Sequence, residues 1–164
     1  AKPAKVAKGG RLVGNAVDAK TGKAIEGEIE IDGVDTYKRD LGYIFYKGVN
    51  TNLQMVKDGW AVPYLYCTHN VCNDKWETTA HVEEFVKACQ SAQAKGLGIF
   101  DKKAPLDMTP DEFRRSEDGR DPYQFIGDFS TKKLYAPEDG SKVDWCLRIR
   151  FEFEEDALNV GYKY

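Results

Sequence analysis

At 164 residues and 41% hydrophobic content, the chain is long enough to bury a core of its own, as one domain or one domain with a small appendage. Its 24 basic and 27 acidic residues leave a net charge of −3, which excludes a global electrostatic pull towards nucleic acid or an anionic membrane and confines such binding to local patches. No stretch approaches the roughly 18 consecutive apolar residues of a membrane span.

Residues 1–10, AKPAKVAKGG, read as a flexible basic arm. A start of AKPAK without Met is what a signal peptidase leaves when it cuts behind small residues. With the cysteines, it predicts a secreted protein, periplasmic or extracellular. From Arg11 the pattern is β: RLVGNAV, a turn at DAKTGK, then AIEGEIEID, where Ile29 and Ile31 alternate with Glu28 and Glu30 in a hairpin with one buried and one acidic face. Asp32-Gly33 predicts a second turn.

In the next strand Leu41, Tyr43 and Phe45 fall on one side and Gly42, Ile44 and Tyr46 on the other; apolar residues on both faces predict an interior strand. Lys47-Gly48 ends it. Asn50 is placed to cap the helix TNLQMVKD, with Leu53 and Val56 one turn apart, and Gly59 stands where a left-handed C-terminal residue is wanted. Trp60 to Tyr66 read as a returning strand. Asp74 and Glu77 suit a capping box for a helix running to about Lys95, whose buried face is Val82, Phe85, Val86, Cys89 and Ala92; Gly96 and Gly98 stop it. Asp101 to Asp121, charged and broken by Pro105 and Pro110, read as a linker or strap with a short helix at PDEFRR. The remainder is β again, YQFIGDF, KKLY, the turn APEDGSK and the alternating WCLRIRFEF, before one helical turn in EEDALNVGYKY.

The four cysteines are Cys67, Cys72, Cys89 and Cys146. The close pair in CTHNVC reads as a disulfide between Cys67 and Cys72. The alternatives are buried free thiols, or a metal site of Cys67, His69 and Cys72 completed by Cys89 or His81, although that spacing is unlike the usual zinc patterns.

The run Asp35-x-Tyr37-x-Arg39-x-Leu41-x-Tyr43-x-Phe45, followed by Asn52, Gly59, Tyr64, Tyr66 and a closing helix that ends AQAKGLGIF, resembles the second half of the staphylococcal nuclease (thermonuclease) family over Asp35–Asp101. The resemblance implies a mainly β fold with helices, of the α+β class. An OB-fold-like nuclease barrel would occupy 11–101, a linker or strap 102–121 and a small β-rich C-terminal module 122–164. It implies that Arg39 is the catalytic arginine that stabilises charge on the phosphate, and that Tyr37, Arg39 and Tyr64 line a nucleotide-binding site. The residue types suit those roles, since guanidinium is permanently charged and bidentate to phosphate, and ring faces stack on bases of any sequence. Read without the resemblance, Tyr37 and Tyr64 are surface aromatics and Arg39 an ion-pair partner of Glu28, Glu30 or Asp40.

The first half of the family pattern departs. Its nearest equivalents are VDAKT, with Lys20 where a metal-binding aspartate would fall, and GVDTY; the catalytic glutamate and the first arginine have no match. The main expectation is therefore a nuclease-like pseudoenzyme without metal or cofactor, acting as a binding or assembly module for nucleic acid or nucleotide phosphate. One alternative is a divergent secreted phosphodiesterase, an endonuclease that uses calcium held by Asp18, Asp32, Asp35 and Asp40. Another is a structural subunit of an extracellular polymer, self-associating or joined to another protein through β edges. Two fainter likenesses are FIGDFSTKKLY and its sequel to the zinc module of bacterial alkylation-repair proteins, without that module's cysteines, and GRLVGNAVDAKTGKAIEGEIEIDG to a transthyretin-like hairpin.

Overall fold

The computed structural model describes residues 11–17, 20–34, 38, 40–67, 81–119 and 124–164, the first two strands mainly by their backbone. The fold is mixed α+β, with two four-stranded sheets among the described residues, and the chain divides into units of residues 1–55 and 56–164. The N-terminal arm and the capping box expected at Asp74 and Glu77 lie outside the described residues.

In the first unit, β1 (Arg11–Val17) and β2 (Ala24–Val34) form the expected antiparallel hairpin, from Val17 opposite Ala24 to Arg11 opposite Glu30. Gly22 turns the chain between them at φ 64°. β3 (Asp40–Tyr46) pairs with β2, and the two-residue β4 (Val49–Asn50) closes the order β1-β2-β3-β4. Asp32-Gly33 is not a turn: β2 runs through it to Val34, and the register with β3 shifts between Ile31 and Gly33. A glycine inside a strand lets the backbone bulge without ending the ladder. β3 lies between two strands, yet its faces differ, with Phe45 buried and Ile44 and Tyr46 exposed. Its doubly apolar pattern therefore marks one core face and one exposed apolar face.

Lys47 (φ 50°) and Gly48 (φ 78°) make the two-residue turn to β4. Helix α1 (Thr51–Lys57) is capped by Asn50, whose Oδ1 accepts from the Leu53 amide at 3.0 Å. It is tied back to β3, because the Ile44 amide donates to Asn52 Oδ1 and Thr51 Oγ1 donates to the Ile44 carbonyl, both at 2.9 Å. Gly59 ends the turn at φ 74°, its amide donating to Val56 at 3.1 Å. It has a second duty. The Ile99 amide donates to the Gly59 carbonyl at 2.9 Å, and a Cβ on Gly59 or Gly98 would collide with the other strand of this backbone-to-backbone crossing.

In the second unit the expected strand from Trp60 to Tyr66 narrows to β5 (Leu65–Cys67). Pro63 has no amide to donate to a ladder, and Trp60 stays exposed. β5 lies parallel to β8 (Arg148–Phe151), which pairs antiparallel with β6 (Phe125–Asp128), and β6 with β7 (Leu134–Tyr135), in the order β5-β8-β6-β7. The C-terminal strands and Leu65–Cys67 thus share one sheet. Paired residues project to the same face, so Leu65 with Ile149 and Cys67 with Phe151 point one way, and Tyr66 with Arg150 the other.

The apolar face packs on α2 (Val82–Ala94) and α4 (Glu154–Asn159) around Cys67, Val82, Val86, Leu134, Ile149, Phe151, Ala157 and Tyr162. Every position expected on the buried face of α2 is buried, with Ala88 added. Tyr162 fills the sheet beside Phe151, ring centroids 5.1 Å apart, and a Cβ on Gly127 of β6 would meet its ring at 2.5 Å.

The opposite face of β8 carries Arg148 and Arg150, so alternation in RIRF does not separate core from solvent: all four residues are buried. They are covered by α3 (Pro110–Glu117), opened by a capping box between Thr109 and Glu112. Glu112 Oε2 accepts from the Thr109 amide at 2.8 Å and hydroxyl at 2.9 Å, and its Oε1 accepts from Arg148 Nη1. Arg148 Nε donates to the Val143 carbonyl at 2.8 Å. Asp111 Oδ2 pairs with Arg150 Nε at 3.2 Å. The short helix expected at PDEFRR is therefore present and pinned to β8 by two ion pairs, one buried and one partly so.

Cys89 of α2 is bonded to Cys146, just before β8, with Cα atoms 5.4 Å apart. Cys67 is disulfide-bonded as well, and its expected partner Cys72 lies outside the described residues. The sulfurs of Cys67 and Cys89 are consumed in these bonds, which removes them as free thiols and as thiolate metal ligands.

Two stability outcomes follow from this packing. Glu112→Ala leaves the Arg148 charge buried without its partner and lowers unfolding free energy by about 3–5 kcal/mol, whereas Glu112→Leu with Arg148→Met costs far less; denaturant titration of the three proteins checks the contrast. Cys89→Ala with Cys146→Ala releases a loop closed across a separation of 57 residues. A loss of about 4 kcal/mol is expected, read as a melting temperature below the parent's with both proteins measured without reductant.

Candidate functional site

Of the residues singled out for chemistry, Tyr64 is described, while Tyr37 and Arg39 lie outside the described residues. Tyr64 and Tyr66 are two positions apart at the start of β5 and so share the face occupied by Arg150. Their rings stack, with centroids 5.9 Å apart and planes 10° from parallel. The Arg150 guanidinium lies over the Tyr64 ring, Cζ 5.0 Å from its centroid. Asp111 holds that guanidinium from α3, and the Tyr66 hydroxyl donates to Glu152 Oε2 at 3.2 Å. A phenol ring is thus set between a packed tyrosine and a buried arginine, with 53% of Tyr64 still exposed.

The electrostatics follow from those neighbours. Burial, then the Asp111 carboxylate, pushes the Tyr64 phenol above its ordinary value of 10.0, against the opposing influence of Arg150, Arg115 and Arg114. Burial, then Glu152, carries Tyr66 up to about 12, offset in part by a hydrogen bond from Gln124. Both phenols are neutral at physiological pH, suited to stacking and hydrogen bonding rather than to proton abstraction. Beneath them, Arg150 Nη1 and Gln124 Oε1 are buried without hydrogen-bond partners among the described residues.

A groove of about 550 Å³ lies elsewhere in this unit, lined among others by Phe100, Lys102, Lys142, Trp145 and Arg148. It contains neither tyrosine. Among the described residues, no three Asp, Glu, His or Cys side chains converge. Asp18 and Asp35 lie outside them, and Asp32 and Asp40 are described by backbone alone.

Sequence reasoning singled out Tyr64 and did not single out Arg150 or Asp111, which the structure sets against it. A signal was present in the two arginines at alternate positions of RIRF and the adjacent Asp-Glu of PDEFRR, two basic and two acidic residues that can pair.

The model of the family described as staphylococcal nuclease homologue matches residues 14–102. Among curated proteins, the chain is similar to Endonuclease YhcR of Bacillus subtilis (strain 168), 32% identical over 143 residues that cover 87% of this chain and 11% of that protein. It is also similar to a protein named uncharacterized endonuclease from Haemophilus influenzae, 33% identical over 85 residues, 52% of this chain and 40% of that one. The chain thus spans less than half the length of either relative. A match of 143 residues is longer than residues 14–102, so the likeness to the first relative reaches outside the family region.

The raised Tyr66 value gives a pH outcome. The fold favours the protonated phenol, so this contribution to stability is complete below about pH 10 and is lost as pH rises towards about 12. In Glu152→Gln the ionisation moves down towards 10 without reaching it, because burial remains; ultraviolet titration of tyrosinate, with Tyr66→Phe to assign the signal, measures the shift.

Proposed function

Because the chain belongs to the staphylococcal nuclease homologue family, we propose that it is a phosphodiesterase domain that cuts nucleic acid internally, as an endonuclease. The observation that carries this reading is the 32% identity to an endonuclease over 87% of the chain. It displaces the expectation of a purely binding pseudoenzyme, which rested on the departures of one half of the family pattern.

On this reading Arg39 engages the scissile phosphate. Its guanidinium presents parallel N–H donors to two phosphate oxygens, and charge that builds on those oxygens in the transition state strengthens the contact. Tyr64 and Tyr37 take bases by ring stacking, which sets the strand's position without selecting its sequence. The barrel expected over 11–101 is part of the same proposal. So is a secreted or extracytoplasmic setting, supported by the Cys89–Cys146 bond, since disulfides persist in oxidising compartments.

A second reading, nucleic-acid binding without cleavage, is favoured by Lys20, which stands where the family pattern has a metal-binding aspartate. Incubation with circular single-stranded DNA separates the two, since a circle has no end for an exonuclease. Cleavage is expected with calcium, suppressed by EDTA, and reduced about a hundredfold or more in Arg39→Ala. Binding of the circle with no cleavage under either condition overturns the endonuclease reading in favour of the second.

A further inference from the structure

The Cys89–Cys146 bond joins the two sides of residue 102, where the family match ends. Cys89 lies on α2, inside the matched region, and Cys146 in the 3-10 turn Trp145–Leu147 that leads directly into β8, outside it. A second tie runs beside the first. Gln93, one helical turn after Cys89, donates from Nε2 to Asp144 Oδ2 at 2.7 Å, and Asp144 Oδ1 accepts from the Cys146 amide at 2.9 Å. Asp144 thus sets Cys146 on its turn and ties that turn to α2. The hydrogen bond is exposed to solvent and is worth far less than the covalent tie. Both cysteines are fully buried, so a thiolate reaches their sulfurs only when the structure opens around them.

We propose that the Cys89–Cys146 bond is a one-way oxidative gate on the nuclease: the chain is incompetent while these cysteines are thiols, becomes competent when the bond forms in an oxidising compartment, and then resists reduction. The inference rests on the endonuclease reading above and adds to it where the activity is switched on. β8 is the ladder partner, among the described residues, of the strand that presents Tyr64 and Tyr66, so what fixes β8 against α2 also fixes the tyrosine shelf. The bond closes a loop across a separation of 57 residues. A closure of that length shifts the ratio of folded to unfolded chains by about a thousandfold, which separates a chain held reduced from one that has been oxidised. In the closing step one cysteine thiolate attacks a small disulfide such as oxidised glutathione, and the second cysteine displaces the glutathione left on the first. Two electrons and two protons pass to the small disulfide, which leaves as two thiols.

The test uses the full chain and reads both cleavage of circular single-stranded DNA in calcium and the ultraviolet titration of Tyr66. Parent refolded in a glutathione redox pair is the reference. Parent unfolded in guanidinium with dithiothreitol, then diluted into dithiothreitol at about 37 °C, is expected to cleave at least tenfold more slowly. Its Tyr66 phenol, without the burial and the Glu152 contact that hold it at about 12, is expected to ionise closer to 10.0. The reduced parent keeps both side chains, so a cavity does not explain its loss. Exchange into the glutathione pair restores both readings, and the folded reference given dithiothreitol without guanidinium stays within twofold of its starting activity. Cys89→Ala with Cys146→Ala, refolded in the glutathione pair, behaves as the reduced parent, which assigns the effect to this bond rather than to that of Cys67. If the reduced parent or the double variant cleaves within twofold of the reference with Tyr66 still near 12, or if dithiothreitol alone silences the folded reference, the gate falls and the endonuclease reading stands. If the reference does not cleave, the endonuclease reading falls, and the Tyr66 titration alone decides whether this bond sets the shelf.

Discussion

The second unit depends on two arginines that have nowhere to go except onto α3. β8 is the strand between β5 and β6, and both its faces are covered. One face supplies Ile149 and Phe151 to the core, which forces Arg148 and Arg150 into the layer opposite. A buried guanidinium without a counter-charge costs several kcal/mol, so that layer has to carry acids. Asp111 and Glu112 answer the demand. They are adjacent on a helix and point about 100° apart, which lets them reach two arginines spaced by about 7 Å along a strand. The capping box then uses the other oxygen of Glu112, so one carboxylate starts the helix and anchors it.

What was legible in the sequence is what short-range periodicity encodes. The β1–β2 hairpin, the Asn50 cap, Gly59, the buried face of α2 and the terminal helix all follow from spacing within one element. What was not legible depends on partners distant in the chain. Gly59 read as a helix terminator, and its packing against Gly98 could not be seen until the two backbones met. The RIRF segment read only as an alternating strand, because nothing local announces that a helix some 36 residues upstream covers its polar face. The Cys89–Cys146 pairing was similarly out of reach, since four cysteines allow several connectivities and proximity in sequence favours the wrong kind of argument.

The candidate site divides along the same line. Tyr64 came from a resemblance that spans contiguous sequence, and the structure sets it on an exposed shelf. Its neighbours Arg150, Asp111, Gln124 and Glu152 come from elements far along the chain. No family pattern ending near residue 102 includes them.

That last point bears on what the family region can do alone. The match ends at residue 102, while three of the four strands in the second sheet begin after it. Cut there, β5 would lose β8, its only ladder partner among the described residues, the core face of α2 would lose Ile149, Phe151 and Tyr162, and Cys89 would lose Cys146. A three-residue strand with no neighbour has neither hydrogen bonds nor cross-strand packing to hold Tyr64 parallel to Tyr66. The orientation of the shelf is therefore a property of the whole second unit. In this chain, Tyr64 and Tyr66 of the family region are held in position by residues that lie outside it.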